Sequence, residues 1–258
     1  MRRVLRAARG TAAVQENRIW EMQTPEGVLP LRVRPSSRAR HIALRLTSKT
    51  REVALVVPPG CKLEKAYDFA RAHEGWIRRQ LEARPPDIPF AGGQRIPLRG
   101  VEHIIRHKNQ MRGLVRQIPG KDEALPELVV PALPEHLARR LRDWLKAEAR
   151  RDLGRAVKTH ADRLGVTPMR LSVRDQASRW GSCSSRGNLN FSWRLILAPP
   201  EVLDYVAAHE VAHLLEMNHS KRFWSHVRVA CPDMKNARRW LKANGHQLHR
   251  YGRNTRHE

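Results

Sequence analysis

The stretch HEVAHLLEMNHSKRFW occupies residues 209–224 and decides how the second half of the chain must fold. Its first five residues follow the pattern HExxH, which places His209 and His213 one helical turn apart on the same face. Two neutral imidazoles in this arrangement can share one zinc ion, and Glu210 would lie beside them. Burying these polar groups without a cation is costly, so the motif predicts a helix that holds a metal ion.

A third ligand is needed, because a catalytic zinc ion usually has three protein ligands and one open position. We predict His219, which lies six residues after His213, so the chain must turn sharply between them. Asn218 is the nearby residue that most readily takes a left-handed conformation and would make this turn. Ser220 is a suitable N-cap for a following helix. The rival ligands are Glu216, His226, His246 and His249.

The residues before the motif predict a hairpin and the beginning of the motif helix. Two prolines at 199–200, followed by Glu201, suit a first helical turn, and we expect this helix to reach at least Leu215. Residues 185–188 supply a turn, and the strand after it has alternating apolar residues up to Leu195. The hairpin at 178–195 would then offer an edge strand to an extended peptide.

Basic residues dominate the composition: 49 lysines and arginines against 25 acidic residues give a formal net charge of +24 over 258 residues. Such an excess attracts polyanions, of which nucleic acid is the commonest in a cell. The alternative is a set of solvated basic faces, which we favour for the long helix described below. Three widely spaced cysteines without a CxxC pair favour a reducing, cytoplasmic setting. No apolar run is long enough to span a membrane, so we expect no membrane partner.

Periodicity and proline positions divide the chain into five segments. The β-rich region has one helix from about 63 to 81 and a hairpin turn at SKTR, residues 48–51. A long helix from Pro134 to an exit at Gly165 follows the proline-rich segment. The segments are a basic, loosely ordered N-terminus (1–27), a β-rich region (28–118), a Pro-rich connection (119–134), a region with the HExxH helix (135–245) and a basic tail (246–258).

The segment RWGSCSSRGNLNFSWRLILAPPEVLDYVAAHEVAHLLEMNHSKRFW, residues 179–224, closely resembles the core of the YgjP-like metallopeptidases, relatives of the SprT-type zinc proteases. CPDMKNARRWLKANG continues the resemblance, and ARHIALRL and VALVVPPG resemble the N-terminal part of the family. The resemblance implies an α+β fold in which a β-rich part precedes a zincin-like domain, built from the HExxH helix and a small antiparallel sheet. It also implies a Zn²⁺ ion, Glu210 as the catalytic carboxylate, and the ligands His209, His213 and His219.

The favoured hypothesis is therefore a zinc-dependent metallopeptidase in which Glu210 is the general base toward a metal-activated water. Its substrates would be peptides or proteins, among them DNA-associated proteins. Two alternatives stay open: hydrolysis of a nucleotide phosphoanhydride, and a nucleic-acid-binding protein with a structural metal. Met234 stands where the family usually has an aromatic residue, and it is expected to be a core residue. The candidates for stabilising an oxyanion are Tyr205, Arg179 and His226.

Overall fold

Strands and helices are mixed throughout the structure, a computed structural model that describes residues 3–5, 18–25, 27–46, 53–82, 86–176 and 178–252. This agrees with the expected α+β class. The chain divides into two units, Met1–Pro85 and Pro86–Glu258, and each has its own hydrophobic core. Within the described ranges, no helix has the length and apolar character needed to cross a membrane.

The division between the units corrects the expected connection at 119–134, because it falls between residues 85 and 86. Residues Glu127–Ala132 form a strand in which Leu128 and Val130 are fully buried, so this segment belongs to the second unit. Two other strands flank this one, and the shorter of them pairs only with residues 127–129. Pro131 therefore has a paired strand on one side only. The missing N–H of proline is tolerated where a strand has no neighbour on one side.

A five-stranded sheet and two helices make up the first unit. Alternate residues of one strand, Leu29, Leu31 and Val33, are buried in the core of this unit. The strand order is β1-β2-β3-β5-β4, with β2–β3 and β4–β5 antiparallel and the other two pairs parallel. The elements are β1 (Arg3–Leu5), β2 (Arg18–Thr24), β3 (Gly27–Pro35), β4 (Ala43–Leu46), β5 (Val53–Val57), α1 (Leu63–Ala72) and α2 (Glu74–Glu82).

Two expectations for the first unit need correction. Residues 1–27 are not loosely ordered throughout, because β2 lies among them and the side chain of Met22 is fully buried against the core. The helix expected at 63–81 is two helices, α1 and α2, which are separated at His73. The turn expected at 48–51 lies outside the described residues.

The second unit begins with a four-stranded sheet followed by a long helix. The strand order is β6-β7-β9-β8, and apolar residues of these strands meet the buried stripe of α3 in one core. As expected, α3 begins at a proline and ends before Gly165, whose φ of 65° closes the helix in a left-handed conformation. The elements are β6 (Arg95–Leu98), β7 (Val101–Asn109), β8 (Arg116–Ile118), β9 (Glu127–Ala132) and α3 (Pro134–Leu164).

A small three-stranded sheet and three helices complete the second unit. The sheet order is β10-β12-β11, and it is mixed rather than antiparallel, because β10 and β12 run parallel. The strand expected to reach Leu195 ends at Ser192, whose Oγ accepts a hydrogen bond from the backbone N–H of Arg194 and begins a 3-10 helix at Trp193–Leu197. The other elements are β10 (Arg170–Arg174), β11 (Gly181–Cys183), β12 (Asn188–Ser192), α4 (Pro200–Ala212), α5 (Lys221–Ala230) and α6 (Met234–Leu248).

The two ends of the second unit are joined by backbone and side-chain hydrogen bonds. The backbone N–H of Ile88 donates to the carbonyl of Arg250 at 3.0 Å, and the N–H of Gly252 donates to the carbonyl of Ile88 at 2.9 Å. Buried Arg194 donates to the Tyr251 carbonyl at 2.6 Å. Arg142 of α3 donates to the Gly252 carbonyl at 2.8 Å. Residues 86–88 and 250–252 therefore lie side by side.

Candidate metal centre

Helix α4 holds the HExxH motif in the interior of the second unit. It packs against α3, α5, α6 and β11, and most of its residues are buried. The polar side chains of the motif therefore lie where water has limited access: Glu210 and His213 are buried, and His209 is half-buried. Polar groups in such a place need partners, since their desolvation is otherwise uncompensated.

The helix ends earlier than its apolar pattern predicts. Its last residue is Ala212 rather than Leu215 or beyond, and His213 is the C-cap residue. The next backbone N–H groups still donate to carbonyls of the final turn, so the chain tightens directly after the motif. This early end lets the following residues fold back toward the motif histidines.

The turn before His219 does not use a left-handed asparagine. Among the non-glycine residues that the structure describes, a positive φ occurs at two positions, and neither is in this turn. Instead, Asn218 Oδ1 accepts a hydrogen bond from the backbone N–H of Ser220 at 3.1 Å. The prediction that Asn218 reverses the backbone is therefore wrong. Its side chain shapes the turn by a local hydrogen bond, as asparagine commonly does.

His209, His213 and His219 come together at one point. One nitrogen from each ring can be chosen so that all three lie within 4.8 Å of one another. The Nε2 atoms of His209 and His219 are 3.1 Å apart. Two nitrogens bound tetrahedrally to one zinc ion at about 2.0–2.1 Å would be roughly 3.3 Å apart. The spacing of these nitrogens therefore suits a single small cation.

The protonation states of the histidine rings also suit the binding of a cation. His213 Nδ1 lies 3.0 Å from the Glu216 carbonyl, which can only accept, so Nδ1 carries the proton and Nε2 keeps a lone pair. Burial lowers the pKa of His209 to about 3, and His213, His219 and the Arg238 guanidinium add to this effect. His209 is therefore neutral near pH 7. A cation would satisfy the nitrogen lone pairs that face one another here.

Aromatic rings enclose the three histidines on the α5 side. Ser220 caps α5 through its Oγ, which accepts from the Phe223 N–H at 3.2 Å, as predicted from the sequence. Phe223 is fully buried and stacks on His213, with ring centroids 4.4 Å apart. Trp224 lies 5.8 Å from His209 and 5.9 Å from His219, measured between ring centroids. The cap and the two aromatic residues fix the turn that contains His219.

Glu210 faces the edge strand β11 rather than open solvent. A Cβ atom built on Gly181 would lie 2.4 Å from Glu210 Oε1, so the carboxylate occupies the space that a side chain there would need. Burial raises the pKa of Glu210 to about 7, against the opposing effect of the Arg179 charge. The carboxyl group can therefore both accept and release a proton near neutral pH.

The rival ligands are not part of the cluster within the described residues. Glu216 contributes its backbone carbonyl to His213, and His249 stacks on Trp180 with ring centroids 4.8 Å apart. Met234 is buried at the start of α6, as expected of a core residue. Sequence reasoning gave no role to two residues near the site, Gly181 and Arg238. Only their places in the fold indicate their importance.

Comparison with known families agrees with this geometry. The family model described as YgjP-like, metallopeptidase domain matches residues 40–244, most of the chain. The chain belongs to this family. The resemblance noted in the sequence is thereby confirmed, and the YgjP-like family supports a peptidase that uses a metal ion.

Two further comparisons add little detail to the YgjP-like assignment. No curated protein matches the chain. Among solved structures, the metallopeptidase zymogen abylysin of Pyrococcus abyssi is similar to part of the chain. It shares 21% identity over 35% of this chain and 93% of its own, with a TM-score of 0.33.

Proposed function

We propose that the protein is a zinc-dependent peptidase of zincin type, with His209, His213 and His219 as the zinc ligands and Glu210 as the general base. The observation that supports this most strongly is the meeting of three imidazole nitrogens at one point beside a buried carboxylate. Imidazole nitrogens in a tetrahedral arrangement suit zinc.

The number of ligands favours a catalytic ion over a structural one. Within the described ranges, the cluster contains three residues that can donate a ligand atom and no fourth. Structural zinc sites usually have four protein ligands, whereas catalytic sites keep one position for water or substrate. The exposed face of His219 leaves room for that position.

The chemistry divides between the ion and Glu210. A zinc ion bound here would make a water molecule acidic near neutral pH and polarise a substrate carbonyl. Glu210 accepts the proton of the attacking water and returns it to the departing amine. Its raised pKa suits this role, because a carboxylate with its ordinary pKa would be a weaker base toward the attacking water.

The substrate would lie along β11 as an added strand. β11 is an edge strand that pairs with β12 on one side only, among the described strands. An extended peptide could hydrogen-bond to its free side, and Gly181 would then bring that peptide past Glu210. Since strand pairing uses backbone groups, it would accept many sequences.

The net charge of +24 supports a preference for proteins held on nucleic acid. We expect cleavage of a basic protein substrate to rise when single-stranded DNA is added at low salt. We also expect the rise to disappear as salt displaces the protein from the phosphate backbone. A rise that did not depend on salt would contradict a contact made through the backbone.

The proposed function is tested by measuring zinc content and peptide hydrolysis on the same preparations. Glu210→Gln should keep about one zinc ion per chain and lose turnover, while His219→Ala should lose both. The matched control is His246→Ala, which removes an exposed histidine outside the cluster and should change neither. Wild-type protein that contains zinc but hydrolyses no peptide bond in a broad peptide mixture would overturn the proposal.

A further inference from the structure

Arg238 of α6 lies near the candidate metal centre, where its guanidinium contacts an aromatic ring that is itself close to two of the histidines. Its Cζ atom is 4.7 Å from the centroid of the Trp224 ring. That ring in turn is 5.8 Å from His209 and 5.9 Å from His219. The guanidinium therefore lies over Trp224, close to where a peptide bond would be cleaved.

The charge of Arg238 has no acidic partner in the part of the chain that the structure describes. The side chain is exposed, and no described carboxylate lies within ion-pairing distance. In contrast, Arg99 of the same unit binds Asp152 at 2.7 Å and Arg194 binds Asp175 at 3.0 Å. An unpaired cation beside a catalytic site is free to bind a negative group of an incoming molecule.

The Arg238 guanidinium is already in contact with an aromatic ring before any substrate arrives. Stacking on Trp224 restricts the long side chain, and a guanidinium over an indole face is favourable. The helix beneath it is anchored by the buried residues Met234, Ala237 and Leu248. A binding group that is already ordered loses less entropy when it meets its ligand.

We propose that Arg238 is a specificity-determining residue that binds a carboxylate of the substrate peptide near the scissile bond. This inference rests on the proposed peptidase function. A planar guanidinium matches a carboxylate with two parallel hydrogen bonds, which a neutral side chain cannot reproduce. Because an extended peptide advances about 3.3 Å per residue, the carboxylate belongs within about two or three residues of the cleaved bond.

The carboxylate has two sources, an acidic side chain or the free C-terminus of the peptide. Both present the same oxygen pair to Arg238. They differ in where cleavage falls, since binding of the C-terminus confines cleavage to the last few residues of the chain. Blocking the terminus as an amide removes the second source and leaves the first.

The test is a digest of a mixed peptide library by the zinc-loaded full chain, with cleavage positions read by mass spectrometry. Wild type should cut bonds that have Asp or Glu within three residues, or bonds near a free C-terminus, about tenfold more often than matched bonds without a carboxylate. Arg238→Glu should reverse the preference toward Lys and Arg. The matched control is Arg239→Glu, the same charge change on the next exposed residue, which should keep the wild-type preference.

The amidated library assigns the source of the carboxylate, because the preference survives amidation only if it comes from side chains. A merely structural role of Arg238 predicts a general loss of rate with an unchanged preference in Arg238→Glu, and that result overturns the inference. An equal preference change in Arg239→Glu also overturns it. If wild type cleaves the library without any preference for carboxylates, the inference fails and the peptidase function stands. If zinc-loaded wild type cleaves nothing, both fail.

Discussion

Gly181 affects the site directly because it has no side chain. It lies on β11 with the carboxyl group of Glu210 in the space where a Cβ would be. Neither residue acts alone: the glycine lets the edge strand approach the helix, and the strand backbone limits where the carboxylate can move. In the proposed reaction, a substrate strand added to β11 would therefore lie in a fixed position relative to the Glu210 carboxylate.

Substituting Gly181 by alanine should displace Glu210 and lower turnover. The added methyl group would meet Oε1 at 2.4 Å, and catalytic groups tolerate little displacement, so we expect kcat to fall about 100-fold. The zinc content should stay near that of wild type, because the three histidines are untouched. Steady-state kinetics and metal analysis on one preparation measure both quantities.

A matched control for this substitution is Gly154→Ala in the middle of α3. A Cβ there would meet no atom within 4 Å. The change should leave activity unaltered and raise the free energy of unfolding by about 0.8–1 kcal/mol, since alanine favours a helix more than glycine. Equal activity of the Gly181→Ala variant and the control would contradict the steric argument.

At the scale of elements, the sequence predicts a helix boundary well where a capping residue marks it and poorly where only an apolar pattern is present. The capping residue Ser220 and the exit of α3 at Gly165 are local signals, and both predictions are confirmed. The end of α4 is different, because its apolar pattern continues to Leu215 while the helix stops at Ala212. Packing of His213 against Phe223 depends on the turn between α4 and α5, which the apolar pattern does not predict.

Strand β12 also ends earlier than its apolar pattern predicts. Alternation of apolar residues continues through Trp193 and Leu195, so periodicity alone favours an extended chain. In the structure both side chains are fully buried from a 3-10 helix, which turns the chain toward α4. The three clustered histidines could be predicted as candidate ligands from the sequence, since HExxH is local. The residues around them could not, because they are brought together only by folding.

Removing the cap of α5 should weaken the metal site through the turn. Ser220→Ala loses the hydrogen bond that the Phe223 N–H donates to Ser220 Oγ and should lower the free energy of unfolding by about 1 kcal/mol. The turn that holds His219 becomes less ordered, so zinc affinity should fall by up to about fivefold. Urea unfolding and competition with a chelator measure the two effects.

The control for this cap is Ser225→Ala, inside the same helix. Ser225 Oγ donates to the Arg222 carbonyl, a bond that a helix does not need. Stability should change by less than about 0.5 kcal/mol and zinc affinity should not change. If both serine variants lose affinity equally, the cap has no special role in placing His219.

At the scale of the whole molecule, the two cores are built from separate parts of the chain. Every residue of the larger core lies between Phe90 and Leu248, and every residue of the smaller core lies between Met22 and Ile77. Phe223 belongs to the larger core, Trp224 packs against it, and the three histidines and Glu210 lie within the same unit. The site therefore depends on the second unit for its packing.

A fragment of residues 86–258 should fold and bind zinc without the first unit. Its core, its sheets and the cluster of histidines are complete within this range. We expect a helical circular dichroism spectrum, cooperative unfolding and about one zinc ion per chain. The same fragment with Trp193→Ala should be destabilised by about 3–5 kcal/mol, since Trp193 is fully buried. A wild-type fragment that is unfolded would show that the second unit is not autonomous.

The pairing of residue 88 with residues 250 and 252 has a topological consequence. These hydrogen bonds place the first residues of the second unit, near residue 88, next to residues 250–252. A short linker between these two ends would permit circular permutation, with new termini opened at an exposed loop such as 110–113. The order of the elements along the chain would then change while their arrangement around the three histidines stays the same.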